Sequence, residues 1–314
     1  MVAGLWVVIV IAFLVLSLSA LPKDALQVDP LLLYESSAGL ASETKVVTWP
    51  YQDPVTQKVL LMASEPVTPL GEPYVVRLFD RFKCDGARLF VDVGLNTGFY
   101  SLLARARGCN VIAFEIQPSC IELFRIAERQ NAIQPPTPVV NRPVKEADGQ
   151  PFQLALGKCE GMFSLFWQGT TKTTTVALDT VLLPALDSAG TRISLLKIDI
   201  EGFEAFAVAG ARRLIAERRV DAIIVEATWW PNVLWPIHKA YSHVAMVFAH
   251  GYTVRCVGGP EVWEAVFTDA EQWMQYGKAA SAMVKIGPDD DRDVSSCYDF
   301  FICINPCPFD VSPL

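Results

Sequence analysis

Two acidic residues and two glycines are spaced as a binding site for a nucleoside without phosphate would require. Asp92, Gly94 and Gly98 lie in the run FVDVGLNTGFYSLL, which predicts a strand followed by a helix, and Glu115 ends the next predicted strand. Glycines at such a junction let a ligand approach the backbone closely. Asp92 would repel a pyrophosphate but can lie beside a cationic amino-acid group, and Glu115 can accept hydrogen bonds from ribose hydroxyls. S-adenosylmethionine (SAM) has a ribose, an ammonium, a sulfonium and no phosphate, so it fits this pattern.

The glycine spacing distinguishes this loop from two phosphate-binding loops. A dinucleotide fingerprint is Gly-x-Gly-x-x-Gly, whereas the sequence here is Asp-x-Gly-x-x-x-Gly. A P-loop would need Gly-Lys-Ser/Thr, which does not follow. Two other interpretations stay open: an NAD-type oxidoreductase on a related fold, and a catalytically silent, nucleoside-binding interaction protein. Taken alone, the glycines also fit an ordinary tight turn between a strand and a helix.

Carboxyl groups at two further predicted strand ends are candidates for catalysis. Asp199 ends one strand and Glu226 ends the next, and the carboxyl ends of parallel strands meet at one edge of a sheet. A carboxylate there can orient or deprotonate a hydroxyl, and burial or nearby acids can raise its pKa towards the working range. Glu201 is a candidate acceptor contact, although capping of the following helix explains it equally well. Asp199, Glu226 and Asn232 together could hold Mg²⁺, because this hard cation prefers oxygen ligands.

Aromatic residues and a histidine follow the strand that ends at Glu226. Trp229 and Trp230 could pack against a sugar or another acceptor with an apolar face, and core or lid packing is the alternative. His238 lies near them in sequence and could contribute to catalysis, although an isolated histidine is more often structural. These three residues are therefore candidates for the substrate side of a site.

The elements that must position these residues alternate between strands and helices. Such alternation gives parallel strands joined by right-handed helical crossovers, and hence an α/β fold with a doubly wound sheet. Strands are predicted at residues 88–93, 110–115, 194–200 and 220–227, and helices at 74–84, 98–107, 118–131 and 204–218. Two shorter strand-like pieces, at 152–156 and 163–167, lie in a region that interrupts the alternation.

Four segments, in this order, resemble the FkbM family of SAM-dependent methyltransferases. They are DVGLNTGFYS at 92–101, AFEIQP at 113–118, ALG at 155–157 and LKIDIEGFE at 196–204. The resemblance covers roughly residues 88–257 and implies a Rossmann-like methyltransferase sheet, mostly parallel with a late antiparallel strand at 298–304. It also implies SAM as the cofactor, with Asn96 in the cofactor loop and with Ala155 and Leu156 beside the adenine. The implied reaction is O-methylation of a hydroxyl in a carbohydrate or related small molecule.

Composition and charge narrow the possible partners. The 314-residue chain is 52% hydrophobic and 19% charged, so it can bury a sizeable core. Its net charge is −8 and it lacks a dense Lys/Arg stripe, which argues against a nucleic-acid partner. The predicted acceptor is therefore a small molecule or a glycan. The sequence indicates no particular oligomeric state.

The N-terminal residues predict targeting to a membrane or to the secretory pathway. Residues 2–21 contain no charge, and about twenty such residues suffice to span a bilayer as a helix. A single-pass anchor is favoured over a cleaved signal peptide, for which Leu18-Ser-Ala20 resembles a cleavage site. The predicted organisation is this segment at 1–21, a proline-containing stem or irregular region at 22–73, and the methyltransferase domain at 74–314. A secretory location would permit a disulfide within the cluster formed by Cys297, Cys303 and Cys307.

Overall fold

The structure, a computed structural model, describes residues 28–29, 32–34, 46–64, 73–82, 84, 88–154, 157–159, 170–226, 244–257, 266–275, 299–304 and 307. The predicted targeting segment at 1–21 and the strand-like piece at 163–167 lie outside these residues. Within the described part of the chain, no helix combines the length and the apolar character that crossing a bilayer requires.

Most of the strands belong to one large sheet. The strands, in chain order, are β1 (Val47–Gln52), β2 (Val59–Ser64), β3 (Leu89–Val93), β4 (Asn110–Phe114), β5 (Val139–Val140), β6 (Pro151–Leu154), β7 (Thr171–Thr174), β8 (Ile193–Ile198), β9 (Val220–Glu226), β10 (Tyr252–Val257), β11 (Val266–Phe267) and β12 (Asp299–Ile304). The large sheet has the order β11-β10-β12-β9-β8-β3-β4-β5. Two separate antiparallel pairs, β1-β2 and β6-β7, complete the described strands.

The sheet is parallel in its central part, as the sequence predicts. Strands β9, β8, β3, β4 and β5 run parallel to one another. The late strand β12 pairs antiparallel with β9 on one side and with β10 on the other. The predicted fold class, a doubly wound Rossmann-like sheet with a late antiparallel strand, is therefore confirmed.

Helices cover both faces of this sheet. They are α1 (Pro73–Arg81), α2 (Phe99–Ala106), α3 (Pro118–Gln130), α4 (Leu178–Ala189), α5 (Glu204–Gly210), α6 (Arg212–Ala216) and a 3₁₀ helix at Met246–His250. Alternate residues of β3 enter two different cores. Leu89 packs with the α4 side, whereas Phe90 packs with Phe79 of α1 and Phe124 of α3. Because β3 is buried on both faces, its sequence is almost entirely apolar, and Asp92 is the exception.

Part of the region predicted to be irregular is an ordered hairpin. β1 and β2 pair antiparallel in continuous register from Val47 opposite Ser64 to Gln52 opposite Val59. A buried ion pair anchors the hairpin, because Arg107 Nη2 lies 2.5 Å from Asp53 Oδ1. The prediction of irregular structure for 22–73 is therefore wrong over 47–64. The prolines of this region obscure the strand pattern in the sequence. The hairpin is held by Arg107, which directly follows α2.

Two helices also differ from the prediction. The single helix predicted at 204–218 is divided into α5 and α6. At the junction, Gly210 packs against a neighbouring loop so closely that a Cβ atom would lie 2.3 Å from the carbonyl oxygen of Lys145. Helix α4 is absent from the prediction, and it contains Pro184 in its interior. Neither feature affects the order of the strands.

The strand order fixes where a ligand can bind. From β3 the chain builds outwards through β4 to β5, and it then returns to place β8 on the other side of β3. The direction of sheet growth therefore reverses between β3 and β8. In open α/β sheets the carboxyl edge at such a point forms a crevice that binds ligands.

Candidate active site

A cleft of about 900 Å³, measured out to its open mouth, lies at the carboxyl ends of β3, β4, β8 and β9. Six of the residues singled out from the sequence line it, and besides Glu201 they are Gly94, Asn96, Glu115, Asp199 and Glu226. The structure thus brings the predicted cofactor loop and the predicted catalytic carboxyls to one site.

Gly94 and Gly98 shape the cofactor loop by their conformation. Gly94 has φ +91°, and a Cβ atom there would lie 1.7 Å from the backbone oxygen of Asp199. Gly98 has φ +84°, and a Cβ atom there would lie 2.1 Å from the ring of Phe124. Residues that carry a side chain rarely adopt such φ values. The two glycines therefore permit close packing of the loop on β8 and α3, whereas the sequence suggested that they make room for the ligand itself.

Glu115 joins the cofactor loop to the loop after β4. Its Oε2 accepts a hydrogen bond of 2.8 Å from the backbone N–H of Asn96, and its Oε1 accepts one of 2.9 Å from that of Gln117. Burial raises the pKa of Glu115, although these backbone donors act in the opposite direction. The backbone N–H of Ile116 is a third donor to this carboxylate, so of its roughly four acceptor positions one remains for a ribose hydroxyl. Glu115 is therefore both a structural link and a possible ligand contact.

Asp92 lies beneath the cleft, under helix α2. Its side chain is 1% exposed, and its Oδ2 accepts a hydrogen bond of 2.7 Å from the hydroxyl of Ser101. Its Oδ1 has no hydrogen-bond partner within the described residues. Burial raises the pKa of Asp92 to about 7, against the lowering effects of Lys197 and of the Ser101 hydrogen bond. Asp92 is thus a buried acid whose pKa lies near neutral pH, and it does not line the cleft.

The raised pKa of Asp92 predicts a specific pH dependence of stability. Between about pH 4 and pH 7 the unfolded chain has lost this proton whereas the folded chain keeps it, so the contribution of Asp92 to stability is lost as pH rises. Asp92→Asn should therefore reduce the fall of the unfolding free energy over this range, by up to about 1.4 kcal/mol per pH unit. Urea unfolding at pH 5, 6 and 7, in the absence of cofactor, measures this slope.

Asp53 provides a matched control, because its pKa is shifted in the opposite direction. Although burial opposes it, hydrogen bonds from Arg107 and Thr56 lower the pKa of Asp53 to about 2. Its contribution is present above about pH 4 and is lost only as pH falls towards 2. Asp53→Asn should therefore lower stability by a similar amount at pH 5, 6 and 7. Parallel slopes for the wild type and Asp92→Asn would contradict the assignment of a raised pKa to Asp92.

Three carboxyl groups face one another at the β8 and β9 side of the cleft. One oxygen from each of Asp199, Glu201 and Glu226 lies within 4.8 Å of the others. Glu201 occupies the left-handed backbone region with φ +55°, and it is followed by Gly202 with φ +97°. This local backbone turns the Glu201 residue towards the cleft directly after β8. The arrangement concentrates negative charge beside the cofactor loop.

Lys197 compensates part of this charge. Its Nζ lies 2.5 Å from Asp199 Oδ2 and 5.0 Å from the centroid of the Tyr100 ring. Lys197 lies on β8, directly opposite Asp92 in the register of the neighbouring strand β3. Lys197 is thus a buried cation between two acids.

The pKa of Asp199 differs in direction from the sequence-based expectation. Burial raises it, but the Lys197 charge, a hydrogen bond with Glu226 and the Lys197 hydrogen bond together hold the pKa of Asp199 below its usual value. A hydrogen bond between two carboxyl groups contains one proton, so Asp199 and Glu226 share a proton in this arrangement. The expectation that burial and nearby acids would raise this pKa is therefore wrong, because the charge of the Lys197 ammonium group is the largest of the effects that lower it.

Glu204 fixes the loop that carries Glu201. Its Oε1 accepts hydrogen bonds from the backbone N–H groups of Ile200 and Gly202, at 2.9 and 3.0 Å. Burial raises the pKa of Glu204 to about 7 despite these bonds. The sequence suggested helix capping for Glu201, and the structure shows that Glu204 supplies the carboxylate that orders the turn before α5. Glu201 lies instead along the cleft.

The carboxyl cluster has the oxygen ligands that Mg²⁺ prefers. Asp199, Glu201 and Glu226 would hold the ion, and Asn232, which the sequence suggested as a ligand, lies outside the described residues. Lys197 already contacts one oxygen of Asp199, so an ion would have to share this carboxylate with an ammonium group. The oxygen ligands therefore suit a cation, but the positive charge of Lys197 opposes its binding at this carboxylate.

Some predicted residues lie outside the described part of the chain, and some residues line the cleft without having been predicted. Outside the described part of the chain lie Ala155, Leu156, Trp229, Trp230 and His238. Residues that line the cleft but were not predicted include Gln117, Arg142, Phe152 and Phe203. The rings of Phe152 and Phe203 meet edge to face, with centroids 5.7 Å apart. Gln117 and Phe203 lie within the motifs quoted above, whereas no sequence signal indicates Phe152 or Arg142.

A comparison with protein-family profiles identifies the family of the chain. A family profile described as the methyltransferase FkbM domain matches residues 92–254, just over half of the chain. No curated protein sequence matches the chain. Among solved structures, a SAM-dependent methyltransferase from Agrobacterium tumefaciens is 8% identical with a TM-score of 0.37, and the alignment covers 70% of this chain and 64% of that one.

Two further structures contain a bound form of the cofactor. A 16S rRNA N2 G1207 methyltransferase from T. thermophilus, in complex with AdoMet and guanosine, is 9% identical with a TM-score of 0.33. The alignment covers 58% of this chain but 42% of that enzyme, so this chain spans less than half of its length. An SAH-bound methyltransferase from Podospora anserina is 8% identical with a TM-score of 0.30, covering 69% of this chain and 71% of that one. On the strength of the domain match, the chain belongs to the FkbM methyltransferase family.

Proposed function

We propose that the protein transfers a methyl group from SAM to a hydroxyl of a small-molecule or glycan acceptor. The observation that carries this proposal is the position of three carboxyl groups, those of Asp199, Glu201 and Glu226, beside the cofactor loop in one cleft. A hydroxyl acceptor must lose a proton when its oxygen is methylated. Carboxyl groups within hydrogen-bond reach of that oxygen can receive the proton.

The residues of the cleft have separate tasks in this reaction. SAM, when bound, supplies a methyl group on a sulfonium, which is already activated for in-line displacement by an oxygen. Glu115 and the backbone around Asn96 bind the nucleoside part. Asp199 accepts a hydrogen bond from the acceptor hydroxyl and so orients its oxygen lone pair. Positioning of this kind contributes a large part of the rate of such reactions.

The low pKa of Asp199 is compatible with this role. The acceptor proton becomes strongly acidic as the new oxygen–carbon bond forms, so a weak carboxylate base is sufficient to receive it. Lys197 keeps Asp199 ionised and therefore able to accept the hydrogen bond. Glu226 is hydrogen-bonded to Asp199 and lines the cleft, so after it gives its own proton to solvent it can take the one that Asp199 receives.

The wall of the cleft supports an acceptor with an apolar face. Phe152 and Phe203 stand on the side of the carboxyl cluster, and sugars present apolar faces of this size to aromatic rings. The net charge of −8 opposes a polyanionic nucleic-acid partner. Together with the carboxylates, which can accept hydrogen bonds from hydroxyls, these features support a carbohydrate or related acceptor.

A transfer experiment tests this function. The protein is incubated with SAM carrying a labelled methyl group and with separate carbohydrate and lipid extracts, and the products are treated with mild base. The proposal predicts label in a base-stable methyl ether of one of these fractions. Label recovered in methyl esters, in nitrogen-linked methyl groups or in added RNA would contradict O-methylation of a small molecule or glycan.

We further propose that the protein enters a membrane or the secretory pathway. The uncharged residues 2–21 support this, as do the disulfides Cys84–Cys109, Cys120–Cys159 and Cys303–Cys307, since disulfides persist in oxidising compartments. Deleting residues 1–21 should move the tagged protein to the cytosolic fraction and leave its cysteines reduced. An unchanged distribution of the shortened chain would contradict this proposal.

A further inference from the structure

The short segment 157–159 is tied to the start of α3 by two links. The hydroxyl of Ser119 donates a hydrogen bond of 2.9 Å to the carbonyl oxygen of Gly157. Next to it, Cys120 and Cys159 form a disulfide. Cys120 is completely buried, whereas Cys159 is partly exposed. The segment therefore has a covalent and a polar anchor on consecutive residues of one helix.

The disulfide also touches the cofactor loop. The Sγ atom of Cys159 lies 3.3 Å from Oδ1 of Asn96. A disulfide sulfur has no hydrogen to donate, so this is a packing contact that limits where the Asn96 side chain can lie. Asn96 has φ +51°, an uncommon conformation for a residue other than glycine. The backbone N–H of Asn96 donates to Glu115 Oε2, so a shift of the Asn96 backbone also displaces a hydrogen bond of the carboxylate proposed to bind the ribose.

We propose that the Cys120–Cys159 disulfide is a positioning element for cofactor binding. It holds Cys159 behind Asn96 and so keeps the Asn96–Glu115 link in its binding geometry before the cofactor arrives. Affinity rises when a loop is ordered in advance, because binding no longer has to pay for that ordering. The inference concerns the cofactor and is independent of the identity of the acceptor.

A second disulfide in the same domain provides a matched control. Cys84 and Cys109 are also joined, but Cys109 precedes Asn110, the first residue of β4. This bond therefore lies at the amino end of the strand whose carboxyl end carries Glu115. It links elements of the same core without contact to the cleft.

Calorimetric titration of the full chain with SAM tests the proposal. Cys120→Ser with Cys159→Ser should weaken binding by about ten-fold, because the ordering of the loop is then completed on binding. Cys84→Ser with Cys109→Ser should leave the affinity within about two-fold of the wild type. Near-ultraviolet circular dichroism and thermal unfolding confirm that each variant is folded. Equal weakening in both pairs would show a general loss of stability and would overturn the positioning role, as would an unchanged affinity in both.

A second set of variants keeps the test decisive if the first pair folds poorly. Ser119→Ala removes the other anchor of the segment and leaves the disulfide intact, and it should weaken SAM binding by about two- to ten-fold. Asn96→Ala removes the side chain through which Cys159 acts. Combining Asn96→Ala with the Cys120→Ser and Cys159→Ser pair should weaken binding by less than the product of the separate effects. Fully multiplicative effects, or normal affinity in Ser119→Ala, would contradict the proposal.

Discussion

Gly94→Ala should abolish measurable binding of SAM and destabilise the fold. The added Cβ atom would lie 1.7 Å from the backbone oxygen of Asp199 and 3.1 Å from the side chain of Ile200, so the loop and the end of β8 must separate. The φ of +91° adds conformational strain. Strain and overpacking each cost about 1–3 kcal/mol of unfolding free energy. Urea unfolding measures the loss of stability, and calorimetry with SAM measures the loss of binding.

Gly149→Ala is the matched control for this experiment. Gly149 has φ +70°, but nothing lies within 4 Å of a Cβ atom built there. It should therefore show the cost of strain alone, with SAM affinity unchanged. A Gly94→Ala variant that binds SAM normally and is no less stable than Gly149→Ala would disprove the close contact between the cofactor loop and β8.

Asp199→Asn should lower the rate of methyl transfer by about 10²–10⁴-fold, the range typical of a lost general base. The amide nearly preserves the shape of the side chain but removes the charge that accepts the acceptor proton. SAM affinity should change little, because the proposed nucleoside contacts are those of Glu115 and the loop around Asn96, which a hydrogen bond joins. Rates are measured in single turnovers with the acceptor found by the labelled-cofactor experiment. Calorimetry with SAM provides the separate measure of binding.

A metal ion at the same cluster would give a different pattern. If Mg²⁺ bound to Asp199, Glu201 and Glu226 supplies the activation, the unmutated protein should lose activity in a chelator and regain it with added Mg²⁺. If the Lys197–Asp199 pair suffices, activity should persist in the chelator. A folded Asp199→Asn variant with normal turnover under both conditions would contradict the proposed role of this residue.

The central strands could be predicted from the sequence because local and tertiary signals agree there. The strand predicted at 88–93 is observed at Leu89–Val93, and the one predicted at 110–115 is observed at Asn110–Phe114. Strands buried on both faces are almost entirely apolar, and each of these two is followed by a glycine or an acid at its carboxyl end. The hairpin β1-β2 could not be recognised in this way. Its attachment depends on a contact between Asp53 and Arg107, which are 54 residues apart in the sequence.

The site was predictable in its residue types but not in its electrostatics. Spacing and resemblance pointed to Glu115, Asp199 and Glu226, and all three line the cleft. Burial of Asp92 beneath α2 and the lowered pKa of Asp199 depend on where Ser101 and Lys197 lie in three dimensions. A sequence gives the identity of an acid, whereas its pKa is set by the charges and donors that the fold places around it.

The most direct test of the account is calorimetric titration of the full chain with SAM, its demethylated product and NAD⁺. We expect both sulfur nucleosides to bind at one site per chain, with no tight binding of NAD⁺. Glu115→Ala should weaken both by about 1.5–3 kcal/mol, or roughly 10- to 150-fold, through loss of the charged acceptor. Glu217→Ala, which removes an exposed carboxylate paired with Arg213, should bind as the wild type does. Tight NAD⁺ binding without SAM binding, or a Glu115→Ala variant with full SAM affinity, would contradict the assignment of this cleft.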